Sequence, residues 1–181
     1  MTPEIAIVGL YRIAGSLVVL RWPFAGALIA IGVDLTDLLL FDLLSGSAAP
    51  PYYQTFDKWA DQVYLAAFLI VALRDFRPLE RWIALGLYLV RLMGFVAFEL
   101  GAPREILFVF PNVFEFWVVA VIVLMRLRPA FAFTPASAAA VLFVLTVAKL
   151  VQEWALHLAR LFDSFTFLDA LRSIWRAIGG G

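Results

Sequence analysis

Four aspartates stand in two pairs, Asp34-x-x-Asp37 and Asp57-x-x-x-Asp61, each at the edge of a long apolar stretch. A carboxylate in that position is costly to hold and commonly marks an ion or substrate site. Residues three or four apart share a helix face, so each pair turns two carboxylates to one side. If the two helices meet, four carboxylates converge on one spot. Such a group cannot remain fully ionised without compensation. It implies a bound metal, an arginine or lysine partner, or raised pKa values.

Other polar residues fall inside apolar segments and need partners as well. Arg12 lies midway along a first apolar stretch and Arg91 midway along a fourth. Pro111-Asn112 interrupts a fifth, with Glu115 about a turn later. The proline removes a backbone donor, and the carbonyl it frees must find another partner in a lipid interior. The segment lines a cavity, or it packs as a kink with Asn112 bonded to a neighbouring helix. Lys149, Glu153 and His157 follow at four-residue steps, so they share one helix face. That stripe is either self-neutralising or a proton or ligand path. A histidine-based metal site is not expected, because His157 is the one histidine of the chain.

The elements that must position these groups follow from composition. The chain has 181 residues, 64% of them hydrophobic and 15% charged, with a mean hydropathy of +0.95. A soluble domain of this size does not need so much apolar surface, and the excess must face lipid. There is no cysteine, which excludes disulfides and thiolate metal sites. Fourteen basic residues balance fourteen acidic ones, which argues against a nucleic-acid partner. The opening MTPEIAIVGL has no basic region and no small-residue cleavage site, so it reads as a retained helix.

Punctuation by Pro, Gly and charge divides the chain into six spans of roughly the 20 apolar residues that a membrane requires. They cover residues 3–20, 24–44, 56–73, 79–100, 104–125 and 135–161. Short connections predict consecutive, antiparallel neighbours in one bundle. From Phe162 the apolar residues Phe165, Leu168, Leu171, Trp175 and Ile178 recur at helical spacing, and Thr166-x-x-Asp169 has the form of a capping box. The expected fold is therefore all-α: a polytopic six-helix transmembrane domain over residues 1–161, then an amphipathic interfacial helix in 162–181. Trp22, Tyr52, Tyr53, Trp59, Trp82 and Trp175 fit an aromatic belt. Arg21, Arg74, Arg77, Arg81, Arg126 and Arg128 fall on one side, and acids dominate the other. The positive-inside rule then puts both termini and the aspartates outside the cytoplasm, as in a bacterial cytoplasmic membrane.

The unit GVDLTDLLLFDLL…YYQTFDKWADQVYL resembles the signature of the CDP-alcohol phosphatidyltransferase family, which is D-x2-D-G-x2-A-R followed by G-x3-D-x3-D. Asp34 and Asp37 match the first pair, and Asp57 and Asp61 the second. The resemblance implies a six-helix membrane enzyme in which the aspartates hold two divalent cations, Mg²⁺ or Mn²⁺. It also implies that Asp61 is both ligand and the base that activates an acceptor alcohol. The match departs from the signature at Leu38 and Tyr53, where it has glycine, and at Phe41-Asp42, where it has Ala-Arg. These changes remove the close backbone approach and the basic residue that would meet a nucleotide. The expected function is a divergent, cation-dependent lipid phosphotransferase-like protein, with membrane lipids as partners. Two alternatives stay open: a non-enzymatic accessory subunit of a larger membrane complex, and a small transporter or ion pathway.

Overall fold

The computed structural model describes residues 3–45, 53–103 and 106–153, and the regular structure among these residues is α-helix with no strand. The helices are α1 (Pro3–Arg21), α2 (Pro23–Ser45), α3 (Tyr53–Asp75), α4 (Pro78–Glu99), α5 (Ile106–Val109), α6 (Val113–Leu127) and α7 (Pro135–Glu153). Among the described residues, four segments are long and apolar enough to cross a membrane: Pro3–Arg21, Pro23–Ser45, Pro78–Glu99 and Pro135–Gln152. Several such helices are what an integral membrane protein requires. The interfacial helix expected in 162–181 lies outside the described residues, as does the sixth predicted span beyond residue 153.

The two long helices outside that group have specific reasons. α3 carries Asp57, Lys58, Asp61, Arg74 and Asp75, and α6 has 15 residues. Both lie at the centre of the molecule. Leu65, Phe68, Val71 and Ala72 of α3 pack with Phe114, Trp117, Val118 and Val121 of α6 in the main core. The apolar segments surround them, with only 11–33% of each span buried inside the protein. A helix covered by other helices tolerates charge if those charges are paired; a helix facing lipid cannot. Trp22, Trp59 and Trp82 are exposed near helix ends, as interfacial tryptophans are.

Packing order differs from chain order at one place. α2 and α3 are consecutive, yet they do not pack along each other; both pack on α1. Small residues make this possible. The turn between α1 and α2 is a single residue, Trp22, whose carbonyl accepts from the Gly26 amide at 2.6 Å. A side chain at Gly26 would run into the Val19 backbone. Further along, a Cβ at Gly15 would stand 2.6 Å from the Val33 side chain. With α2 held this closely on one flank, α1 offers its other flank to α3. α4 packs against α3 and α6, and α7 against α6.

The predicted fifth span is broken where proline demanded it. α5 ends at Val109 and α6 begins at Val113. Asn112 starts α6 as its N-cap: the side chain accepts from the Glu115 amide at 3.4 Å and donates to Glu115 Oε2 at 2.9 Å. Of the two arrangements open for this segment, a kink with Asn112 bonded to a neighbouring helix is not the one its side-chain bonds describe: both go to Glu115 of α6. An asparagine one residue before a helix start satisfies the orphan amides of that helix more readily than a distant partner does.

Glycine packing gives a direct check. Gly26→Ala should lower stability by about 1–3 kcal/mol, because the obstacle is backbone and cannot swing aside. Gly32→Ala should be neutral or slightly stabilising, since nothing lies within 4 Å of its Cβ position. Thermal unfolding of both variants in detergent measures this. Equal midpoints would contradict the α1–α2 packing.

Candidate functional site

The buried stripe of α1 runs Ile5, Val8, Arg12, Ser16, Val19, the three- and four-residue spacing of one helix face. Arg12 sits in the middle of it, with its side chain only 4% exposed. Around its guanidinium stand all four aspartates. Nη1 donates to Asp37 Oδ2 at 2.6 Å and to Asp57 Oδ1 at 2.5 Å. Nη2 donates to Asp34 Oδ1 at 2.5 Å and to Asp61 Oδ1 at 2.7 Å. The two terminal nitrogens of an arginine carry two hydrogens each. Four N–H groups therefore meet four carboxylates, one apiece.

The outer oxygens are partly occupied too. Lys58 Nζ lies 3.0 Å from Asp57 Oδ2 and 3.8 Å from Asp61 Oδ2. The Leu38 amide donates to Asp37 Oδ1 at 2.5 Å. Beside the cluster, the Tyr11 hydroxyl and Thr36 Oγ1 are 2.9 Å apart and tie α1 to α2 once more. Ser16 Oγ donates to the Arg12 carbonyl. Four carboxylates set against one guanidinium and one ammonium leave two formal negative charges when all are ionised.

The structure thus brings together Asp34, Asp37, Asp57 and Asp61, and adds the residue that sequence reasoning had left without a partner. Arg12 was recognisable as a buried charge in need of a counter-ion. Nothing in the spacing linked it to aspartates 22 to 49 positions away. Asp34 lies about ten residues into α2, or about 15 Å along its axis, a depth that predicts a buried carboxylate; instead Asp37 is buried and Asp34 has a side chain 41% exposed. Ala30, Val33, Asp37 and Phe41 form the inward stripe of α2. Asp34 follows Val33 by one residue and is rotated to the flank of that stripe, from which it still reaches Arg12.

The remaining candidates form a second polar group deeper between α3, α4, α6 and α7. Glu115 lies within electrostatic reach of Tyr64, Lys149, Asp61 and Arg91. Arg91, largely buried, donates from Nη1 to the Phe110 carbonyl at 3.4 Å, an acceptor that the helix break at Pro111 leaves available. Lys149 Nζ bonds Gln152 Oε1 at 3.0 Å and lies 5.3 Å from the centre of the Phe116 ring. The side chain of Glu153 and the whole of His157 lie outside the described residues, so the predicted Lys149–Glu153–His157 stripe is represented here by Lys149 alone. Asp61 links the two groups, since it bonds Arg12 and lies within electrostatic reach of Glu115.

Chemically, the quartet is an oxygen-rich site whose central position is filled by a side-chain cation. Oxygens of Asp34, Asp37 and Asp57 lie within 4.8 Å of one another, close enough to share a metal ion. The same three carboxylates are held by the Arg12 guanidinium.

Replacement of Arg12 tests this geometry. Arg12→Met strands four carboxylates and should cost about 3–5 kcal/mol. Arg12→Lys restores the charge but replaces a four-pronged fork with a point ammonium carrying three donors, so it should recover only part of the loss. Adding Asp37→Leu to Arg12→Met should restore stability relative to Arg12→Met alone. Denaturant or thermal unfolding reads all three, and parent-like stability of Arg12→Lys would refute the four-way fork.

Comparison with protein-family models, with curated proteins and with solved structures finds no match to this chain.

Proposed function

We propose that this chain is a six-span membrane protein acting as a non-catalytic scaffold or accessory subunit, whose aspartate quartet serves as the counter-ion shell of Arg12. One observation carries the reading: a single buried guanidinium meets all four carboxylates at 2.5–2.7 Å. A catalytic two-cation site needs those inner oxygens directed at metal ions. In this arrangement they are directed at a residue of α1, and the product of their attraction is the joining of three helices. In the six-span reading, α3 and the α5–α6 unit cross the membrane shielded by the four apolar helices. The basic loops then lie in the cytoplasm, both termini lie outside, and residues 162–181 lie along the interface.

A second reading has an observation of its own in favour. Two formal negative charges remain after Arg12 and Lys58 are counted, the amount one divalent cation balances. Asp34, with its exposed side chain, gives such an ion a way in. On this reading the chain keeps the cation-binding part of a phosphotransferase-like site, with Asp61 as base.

Divalent cations separate the two. Under the scaffold reading, millimolar Mg²⁺ or Mn²⁺ leaves the thermal midpoint of the purified protein within about 1 °C of its value in chelator. Asp61→Asn then lowers that midpoint in both conditions. A cation-dependent rise of several degrees that Asp61→Asn abolishes would replace the scaffold reading with the second one, because a ligand that binds the native state alone stabilises it.

A further inference from the structure

Charge at the other end of α3 is arranged differently from charge in the quartet. Arg21, Arg74, Arg77, Arg81, Arg126 and Arg128 stand where α1, α3 and α6 end and α4 begins. The acids of those helix ends and their turns are Asp75 and Glu80. Both are already engaged. Asp75 has its two oxygens held by Arg74, at 2.7 and 2.8 Å. The third arm of Arg74 donates to the Leu20 carbonyl at 2.8 Å, which fastens the end of α3 to the end of α1. Glu80 is only 4% exposed, and its Oε1 accepts from the Phe133 amide at 3.4 Å. Arg126 and Arg128 are exposed, and among the described residues neither side chain has a hydrogen bond or an ion pair. This end of the bundle therefore presents positive charge that the chain itself does not balance.

Beside Arg126 lies a groove of about 220 Å³. Phe76 and Ile122, both buried, form part of its lining, and Phe24 and the half-exposed Met125 extend it. Two charged residues border it, Arg126 and Asp75. Arg74 neutralises the second of these, so the groove carries one unpaired cation over apolar walls. An amphiphile with an anionic head matches that combination. Its phosphate accepts from the guanidinium fork, and its chain covers apolar surface that lies at the membrane edge. A zwitterionic lipid matches it less well, because its ammonium would compete for the phosphate and would find both Asp75 oxygens taken.

We propose that this groove holds an anionic glycerophospholipid, with its phosphate on Arg126 and one chain against Phe24, Phe76 and Ile122. Basic recesses between membrane helices are a recurrent setting for such headgroups.

Full-length protein in nanodiscs tests it. Discs of phosphatidylcholine are compared with discs that also contain phosphatidylglycerol, and with phosphatidylcholine discs given inorganic phosphate. R126Q and R128Q remove the same charge from the same end of the bundle, but of the two only Arg126 borders the groove. Phosphatidylglycerol should raise the unfolding midpoint by at least about 2 °C, and R126Q should lose most of that rise while R128Q keeps it. No rise, or a rise that both variants reduce alike, overturns the proposal; the second result marks a diffuse attraction of basic loops to an anionic surface. A rise of the same size with inorganic phosphate overturns the lipid as occupant. Native mass spectrometry of the unmutated protein from mixed discs gives a readout that needs no variant. Retention of phosphatidylglycerol above its share of the disc lipid supports the groove, and retention in proportion to that share overturns it.

Discussion

A guanidinium inside an apolar bundle must be surrounded by acceptors, and the rest of this architecture depends on how Arg12 meets that requirement. Its four terminal N–H groups diverge in a plane, so no single carboxylate or helix can satisfy them. Acceptors have to arrive from more than one side. Asp34 and Asp37 come from α2, Asp57 and Asp61 from α3, and α1 runs between the two. Attraction between buried charges offsets their desolvation only when the geometry is this complete. The ion cluster therefore specifies one arrangement of three helices, because any shift of α1 along α2 or α3 strands a charge in a low-dielectric setting. Gly15 and Gly26 belong to the same constraint, since they let α1 approach α2 closely enough for Arg12 to reach both carboxylates of that helix.

The distribution of polar residues among the helices follows from their positions. α3 is the most heavily charged of the long helices, yet it lies at the centre, where each charge can find a partner. The helices that enclose it are more apolar, and their outward faces carry large hydrophobic side chains such as Leu10, Leu35, Met93 and Phe143. In water the pattern would be inverted. In lipid, the costly residues are placed where neighbouring helices supply what the solvent cannot. The same logic explains the break between α5 and α6. Its freed backbone groups are met from within, by Arg91 at the Phe110 carbonyl and by Asn112 at the α6 amide.

Much of this was legible in the sequence, for identifiable reasons. Span lengths follow from hydropathy and from Pro and Gly punctuation, and the break at Pro111 follows from a missing donor. Convergence of the aspartates follows from spacing within each pair. Their partner was not legible. Arg12 reaches them only because α1, rather than α3, lies against α2, and no local pattern encodes which helix occupies the middle. The exchange of roles between Asp34 and Asp37 has a similar origin, since it turns on a rotation of α2 by about 100° per residue that depth along the axis does not report. Glu80 was hidden for another reason: it sits within Arg77-Pro78-Leu79-Glu80-Arg81, a stretch that reads as a solvated turn. The aromatic loop at Phe131–Phe133 folds over it, and that covering is a tertiary event.

The two ends of α3 therefore pose different electrostatic problems. Asp61 and Asp75 are separated by roughly 21 Å of helix at 1.5 Å per residue, far enough for each end to be neutralised separately. At the aspartate end every carboxylate contacts a side-chain cation supplied by the chain itself. At the other end Asp75 has Arg74, but Glu80 is buried with one oxygen unmet among the described residues. An external ion that takes the inner oxygens of the quartet must displace Arg12, which costs the desolvated pairing of four contacts.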